Sequence, residues 1–309
     1  MSDTRTITLD DDRPYDPTSP LTATGNLRRR TAFSHIVSGV ASGSAFIAIA
    51  ILAIVVWGVA RRGAAALSLG FLFTNPVGLA GGGIANALIG TALMVGIGAV
   101  IAIPIGVLTG VYLSEFAAPS SRLAGILKLA LDLLQGLPTI VVGLFIYGLI
   151  VLPQSKESGF AGAIALSIVM LPLIARSSQE VLLLVPGTLR EAADALGVSR
   201  WRTVRGVILP AATSGIATGA ILSTARAAGE TAPLLFCDGI FNPASTELNL
   251  FGHGVPNIPI LILSTSDLAI PQAFARAWGA AFVLLVGILL ANIATRILLG
   301  RASAKRGAV

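Results

Sequence analysis

The chain has 309 residues, a formal net charge of +6 and a mean hydropathy of +0.85, with 54% of its residues hydrophobic and only 12% charged. A soluble domain carries about 25% charged residues, so this composition excludes an ordinary soluble globular protein. The basic residues fall between apolar runs and at the C-terminus, which excludes a nucleic-acid-binding face, and the lone Cys237 excludes an intrachain disulfide.

Residues 1–30 are polar, with Asp10-Asp11-Asp12 and Arg28-Arg29-Arg30, and read as a disordered tail. The apolar stretch that follows begins too late and runs too long for a signal-peptide core. Phe33 to Ala60 contains no Lys, Arg, Asp or Glu, ample for a first span. Gly63 to Ser114 is again uncharged, but Asn75-Pro76 and Gly81-Gly82-Gly83 interrupt it. The expectation is a short external segment over 61–83 and a second span over 84–113, where Pro104, Gly106 and Gly110 permit bending and close packing. A polar turn over Glu115–Ser121 leads to a third span at 125–152, which contains Gln135, Gly136 and Pro138. After Lys156-Glu157 come a fourth span at 160–185, a polar Arg-rich insertion at 186–208, and a fifth span at 209–236. A loop over 240–273 precedes a sixth span at 275–298, and residues 301–309 form a second tail. The fold class expected is therefore an all-α integral membrane domain of six helices over residues 31–300.

Charge asymmetry orients this layout. One side receives Arg28–Arg30, Arg122, Lys128, the arginines of 186–208, Arg301, Lys305 and Arg306; the other receives Arg61, Arg62 and Lys156. By the positive-inside rule both termini and the 186–208 insertion are cytoplasmic, the Arg61-Arg62 pair dissenting.

Within the insertion, Thr188 is placed to cap a helix over Leu189–Leu196 that Gly197 ends in a left-handed turn. A second short helix starts near Ser199 and carries Trp201 and Val204, and Pro210 begins the next span. Such a helix–turn–helix fits a groove on another protein, or lies as an amphipathic loop on the lipid surface.

Three ionisable residues sit at membrane depth: Arg176 in the fourth span and Arg226 and Glu230 in the fifth. Each costs about 2.5–3.5 kcal/mol on insertion scales. Arg226 and Glu230, four residues apart, share a helix face and either neutralise each other or hold a guanidinium toward an anion path. His35 and His253 lie too far apart for a metal site, Asp132 is expected to be solvated near a helix start, and Asp238 and Asp267 fall to the loop after the fifth span. The chain has no GxxxxGK[ST] phosphate loop, so ATP hydrolysis is expected to belong to a separate subunit.

The spacing of Glu191-Ala192-Ala193, Gly197, Val207 and Leu209-Pro210 resembles the EAA loop of type I binding-protein-dependent ABC importer permeases, with Val207 standing where the family has Ile. That resemblance makes the 186–208 insertion a coupling loop that seats in an ATPase subunit. Residues 225–235, Ala225-Arg226-Ala227-Ala228-Gly229-Glu230-Thr231-Ala232-Pro233-Leu234-Leu235, resemble the R-A-x-G-E-T-A-P-L signature of phosphate importer permeases in its PstA form. Leu171–Arg176, Val185-Pro186 and Tyr112–Phe116 resemble the same family. The resemblance implies an inner-membrane permease for inorganic phosphate, or for another oxyanion such as sulfate or molybdate. Its implied partners are two PstB-like ATP-binding subunits, a PstC-like sister permease, a PstS-like extracytoplasmic binding protein and membrane lipid. ATP is then bound by the partner and this chain has no cofactor or enzymatic activity of its own. Arg176, Arg226 and Glu230 are the implied substrate-path residues, and Glu191, Ala192, Ala193, Gly197, Leu209 and Pro210 the coupling residues. A proton-coupled secondary transporter with Glu230 as carrier is the rival from another class.

Overall fold

The computed structural model describes residues 26–78, 81–118, 120–239 and 248–306. The tail expected over 1–30 lies outside these residues as far as 25, and helix α1 (Asn26–Gly63) already begins inside it. The chain divides into two units, one ending at Trp57 and the other beginning at Gly58. In the first, the described residues form one continuous helical stretch.

The second unit starts with the end of α1, a 3-10 turn at Ala64–Ala66 and helix α2 (Leu69–Phe73), which Ser68 caps by accepting from the Phe71 N–H at 3.0 Å. Strands β1 (Pro76–Val77) and β2 (Gly81–Gly82) pair antiparallel, Pro76 opposite Gly82 and Val77 opposite Gly81. Gly82 takes φ +78°, and a Cβ there would lie 2.5 Å from the Asn75 carbonyl oxygen, so only glycine fits. The interruptions read from Asn75-Pro76 and the glycine triplet are thus a small hairpin.

Helix α3 (Ala85–Val111) continues through a π-turn at Tyr112–Phe116. The third span is not one straight helix: α4 (Arg122–Gly136) and the segment Thr139–Gln154 are bent by 103°. That segment comprises α5 (Thr139–Ile146), a π-turn and α6 (Leu152–Gln154). Pro138 is the cause: proline forces the preceding residue out of the helical region, and Leu137 is extended at φ −70°, ψ 135°. Helix α7 (Gly159–Leu183) is capped by Ser158. Helices α8 (Gly187–Ala195) and α9 (Arg200–Thr203) form the insertion, a π-turn at Val204–Ile208 follows, and α10 (Leu209–Ala227) completes a helical run from Arg200. Pro210 therefore lies inside that continuous run instead of opening a new helix. The fifth span also stops earlier than expected. Residues 228–231 are not helical, and α11 (Ala232–Cys237) restarts with Pro233 in its first turn, where a missing N–H costs nothing. Helices α12 (Ile258–Ser266), inside the stretch read as a loop, and α13 (Pro271–Arg306) end the chain. Among the described residues five helices are long and apolar enough to cross a membrane, or six when the bent pair counts as one span.

The core of the second unit is the contact of α3 with α7. Met94, Ala102, Leu166, Met170 and Ile174 are all fully buried there. The backbones approach closely because glycines face the partner: a Cβ on Gly106 would sit 2.8 Å from Ile174 Cγ2, and one on Gly110 would sit 2.8 Å from Ser178 Cβ. At the end of α11, buried Asp238 accepts from the Val255 N–H at 2.7 Å and from Asn257 Nδ2 at 2.8 Å, pinning the entry to α12. Burial pushes its carboxyl up to about 7, against these two bonds that hold it down. Cys237, also buried, donates its thiol to the Gly143 carbonyl.

Two stability outcomes follow from this packing. Gly106→Ala should destabilise the detergent-solubilised chain by about 1–3 kcal/mol through overpacking, whereas Gly96→Ala, with nothing within 4 Å of its Cβ, should not; equal melting temperatures for the two variants would refute the contact. Asp238→Ala should lower the melting temperature by leaving two buried donors unsatisfied, at about 1–3 kcal/mol each.

Candidate functional site: an anchored helical hairpin and three intramembrane charges

The insertion is built as a helical hairpin. Helix α8 is entered through Pro186, and no side chain caps it, so the expected Thr188 cap is absent: Thr188 lies one residue inside the helix that begins at Gly187. Gly197 takes φ +68° and ends α8, with its N–H donating to the Asp194 carbonyl and the Val198 N–H to the Ala193 carbonyl. Ser199 then leads into α9. Glu191 and Ala192 are exposed, Ala193 is buried, and Leu196 is 81% exposed. Leu209 and Pro210 continue the helix that returns from the hairpin.

What holds the hairpin was not legible in the motif. Arg190, the residue before Glu191, donates from Nη2 to Glu115 Oε1 at 2.6 Å and from Nε to Glu115 Oε2 at 3.1 Å. The same guanidinium donates to the Leu182 and Val185 carbonyls at 2.9 and 2.8 Å. Glu115 was expected in a polar turn, yet it is buried inside the π-turn that ends α3. These carboxylate bonds raise the Arg190 pKa and keep the charge in place. The available signal was an acid closing a long uncharged run and an arginine directly before the E-A-A triplet. Below the pair, Val111, Leu182, Val185, Val204 and Ile208 form a buried cluster.

The charges read at membrane depth take partly unexpected partners. Arg176, on α7, forms an ion pair with Asp132 of α4. Asp132 therefore lies in the second half of a helix that packs on α7, not at a helix start, and its side chain is 59% exposed, as solvation would have it. Arg226 is in the last turn of α10, where the carbonyl end of the helix favours a cation. Its Nε lies 3.9 Å from Glu230 Oε1. The two do not share a helix face as expected, because α10 ends at Ala227 and Glu230 stands in the break before α11. The Arg226 side chain is 63% exposed and the Glu230 side chain 16%, so the arginine is loosely held and open. Helices α7 and α10 pack side by side, which puts Arg176 and Arg226 on neighbouring helices. A further arginine escaped the sequence reading: Arg276 of α13, buried, donates to the Gly83 and Gly81 carbonyls at 2.9 and 3.3 Å and ties that helix to the hairpin of β1 and β2.

A profile described as "binding-protein-dependent transport system inner membrane component" matches residues 102–303. The chain is 37% identical over 269 residues, 87% of its length and 94% of the relative's, to the phosphate transport system permease protein PstA of Haemophilus influenzae. It is 40% identical over 239 residues to that of Pasteurella multocida, covering 76% of this chain and 83% of the relative. With the PstA of Yersinia pestis it shares 39% over 228 residues, 74% and 76% of the two chains. In fold it is similar to a chain of the MetNI methionine ABC transporter in an inward-facing conformation, with TM-score 0.55, 20% identity, and 71% of this chain and 93% of that one covered. This chain belongs to the family of binding-protein-dependent transport system inner membrane components, among its PstA-type permeases.

Proposed function

We propose that this chain is the permease subunit of an ATP-driven importer for inorganic phosphate. It forms half of a translocation path and couples to a separate ATPase through the 186–208 loop. The observation that carries this reading is the helical hairpin of α8 and α9, exposed at Glu191 and Ala192 yet fixed by Arg190 to the ends of two spans. An amphipathic loop lying on lipid needs no such anchor, whereas a loop that transmits force does. The PstA relatives support phosphate as the substrate.

In this function Glu191, Ala192, Ala193, Gly197, Leu209 and Pro210 form and orient the coupling hairpin. ATP is bound by two PstB-like subunits, a PstC-like sister supplies the other half of the path, and a PstS-like protein delivers the anion. Both termini and the hairpin face the cytoplasm, and the domain over 31–300 spans the inner membrane between tails at 1–30 and 301–309. The chain has no ATPase site of its own.

Arg176, Arg226 and Glu230 line the anion's route. A planar guanidinium matches a tetrahedral oxyanion with two parallel N–H donors. Arg226 fits the task because its carboxylate partner is 3.9 Å away and its donors are exposed, so an approaching phosphate finds free N–H groups. Glu230 then lowers the net charge of the site and keeps the anion from binding too tightly. Arg176 is more firmly paired with Asp132 and sets the potential nearby. Sulfate and molybdate offer the same tetrahedral geometry, so a competition experiment separates them from phosphate.

The deciding measurement is labelled-phosphate uptake by cells lacking only this chain, before and after it is restored, with sulfate and molybdate as competitors. Uptake should return, ignore the competitors, fail when ATP is depleted and survive collapse of the proton gradient; dependence on that gradient would instead establish a secondary transporter. Arg226→Ala should cut uptake by about 10- to 100-fold, the weight of lost charge-assisted hydrogen bonds, while the assembled complex is retained. Glu191→Lys should abolish uptake with the spans inserted and ATP hydrolysis no longer linked to transport; normal uptake in that variant would remove the coupling role.

A further inference from the structure

Glu115, the carboxylate that receives Arg190, is the most completely engaged carboxylate near the hairpin. Its side chain is 1% exposed, and both oxygens accept from the Arg190 guanidinium. Arg190 spends its remaining reach on the Leu182 and Val185 carbonyls, which close α7. One residue beyond Glu115, Phe116 lies against Trp201 of α9, with ring centroids 6.3 Å apart at an interplanar angle of 40°. Neighbouring residues of a helical turn project in different directions, so the π-turn Tyr112–Phe116 meets the first helix of the hairpin with Glu115 and the second with Phe116.

We propose that Glu115 is a positioning residue for the hairpin: through Arg190 it ties α8 to the ends of α3 and α7, so that a push on the loop moves that helix pair as one body. The inference rests on the importer reading above. Three observations support it beyond the ion pair. The buried cluster of Val111, Leu182, Val185, Val204 and Ile208 joins the same span ends to the returning helix by direct apolar packing. Further along, α3 lies so close to α7 that a Cβ on Gly106 or Gly110 would clash with Ile174 or Ser178, so the two helices are in direct contact there. The fork geometry of Arg190 fixes an angle as well as a distance, which a lysine or a single hydrogen bond does not.

The test uses the full complex reconstituted with its ATPase, sister permease and binding protein, and reads phosphate moved per ATP hydrolysed. Glu115→Gln keeps the shape and one acceptor but removes the charge; the ratio should fall about tenfold or more while the subunits still co-purify. Replacing both partners by apolar residues, E115L with R190M, should likewise keep assembly and stability, since a buried pair is often replaced by packed hydrophobic residues without loss. It should not restore the ratio. A normal ratio in either variant would overturn the positioning role and leave the pair as a stabilising contact only. Hydrogen exchange on the purified wild-type chain decides the matter even if both variants fail to assemble. The amides of 112–116 and 187–196 should lose protection at one common denaturant concentration, as a single cooperative unit; separate transitions would overturn the tie. A wild-type complex whose ATP hydrolysis ignores phosphate-loaded binding protein would overturn the importer reading, whereas the exchange result reads the tie independently of it.

Discussion

The close approach of α3 and α7 is the constraint from which the rest of the second unit follows. Apolar side chains gain little by leaving lipid for each other, so helix association in a membrane relies on close van der Waals contact. Gly106 and Gly110 supply that closeness, and Met94, Leu166, Met170 and Ile174 fill the space around them. With these two helices fixed, α10 packs on α7, and α4 is held at the Arg176–Asp132 pair. The ends of α3 and α7 also lie together, which is what allows one arginine to bind a carboxylate on the first and carbonyls on the second.

Proline breaks do the complementary work. A continuous helix satisfies its own backbone and offers nothing polar to a solute. At Leu137-Pro138 the third span turns through 103°, and after Ala227 the fifth span opens before Pro233 restarts it. Arg226 occupies the last turn before the second break and Glu230 lies within it, so the polar groups gather where the helix is interrupted. Irregular backbone at membrane depth is tolerated where protein or water surrounds it. The Arg226 side chain stands exposed at this break.

The two regions share a design. At the hairpin a charged pair is largely buried and fully bonded, which suits a rigid joint; at the fifth span a charged pair is open and separated by 3.9 Å, which suits the anion route proposed for it. Burial and bond geometry, not residue type, separate the two uses of an arginine and a glutamate.

The sequence by itself determined the approximate positions of the spans, the helical hairpin at 186–208 with its left-handed Gly197, and which few charged residues fall within or beside long apolar stretches. These are properties of local composition: hydropathy over about 20 residues, a glycine at a helix end, and an ion that costs energy wherever lipid surrounds it. Only the tertiary structure decided the partners. Asp132 and Arg176 are 44 positions apart, Glu115 and Arg190 75, and Arg276 reaches carbonyls more than 190 positions away. No local pattern encodes such pairings, because they depend on which helix faces meet. The breaks at Leu137 and Ala228–Thr231 fall between the two cases. The prolines were visible in the sequence, but whether each bends a span, ends it or is absorbed within it, as Pro104 and Pro172 are, is set by the neighbours that accept the freed backbone groups.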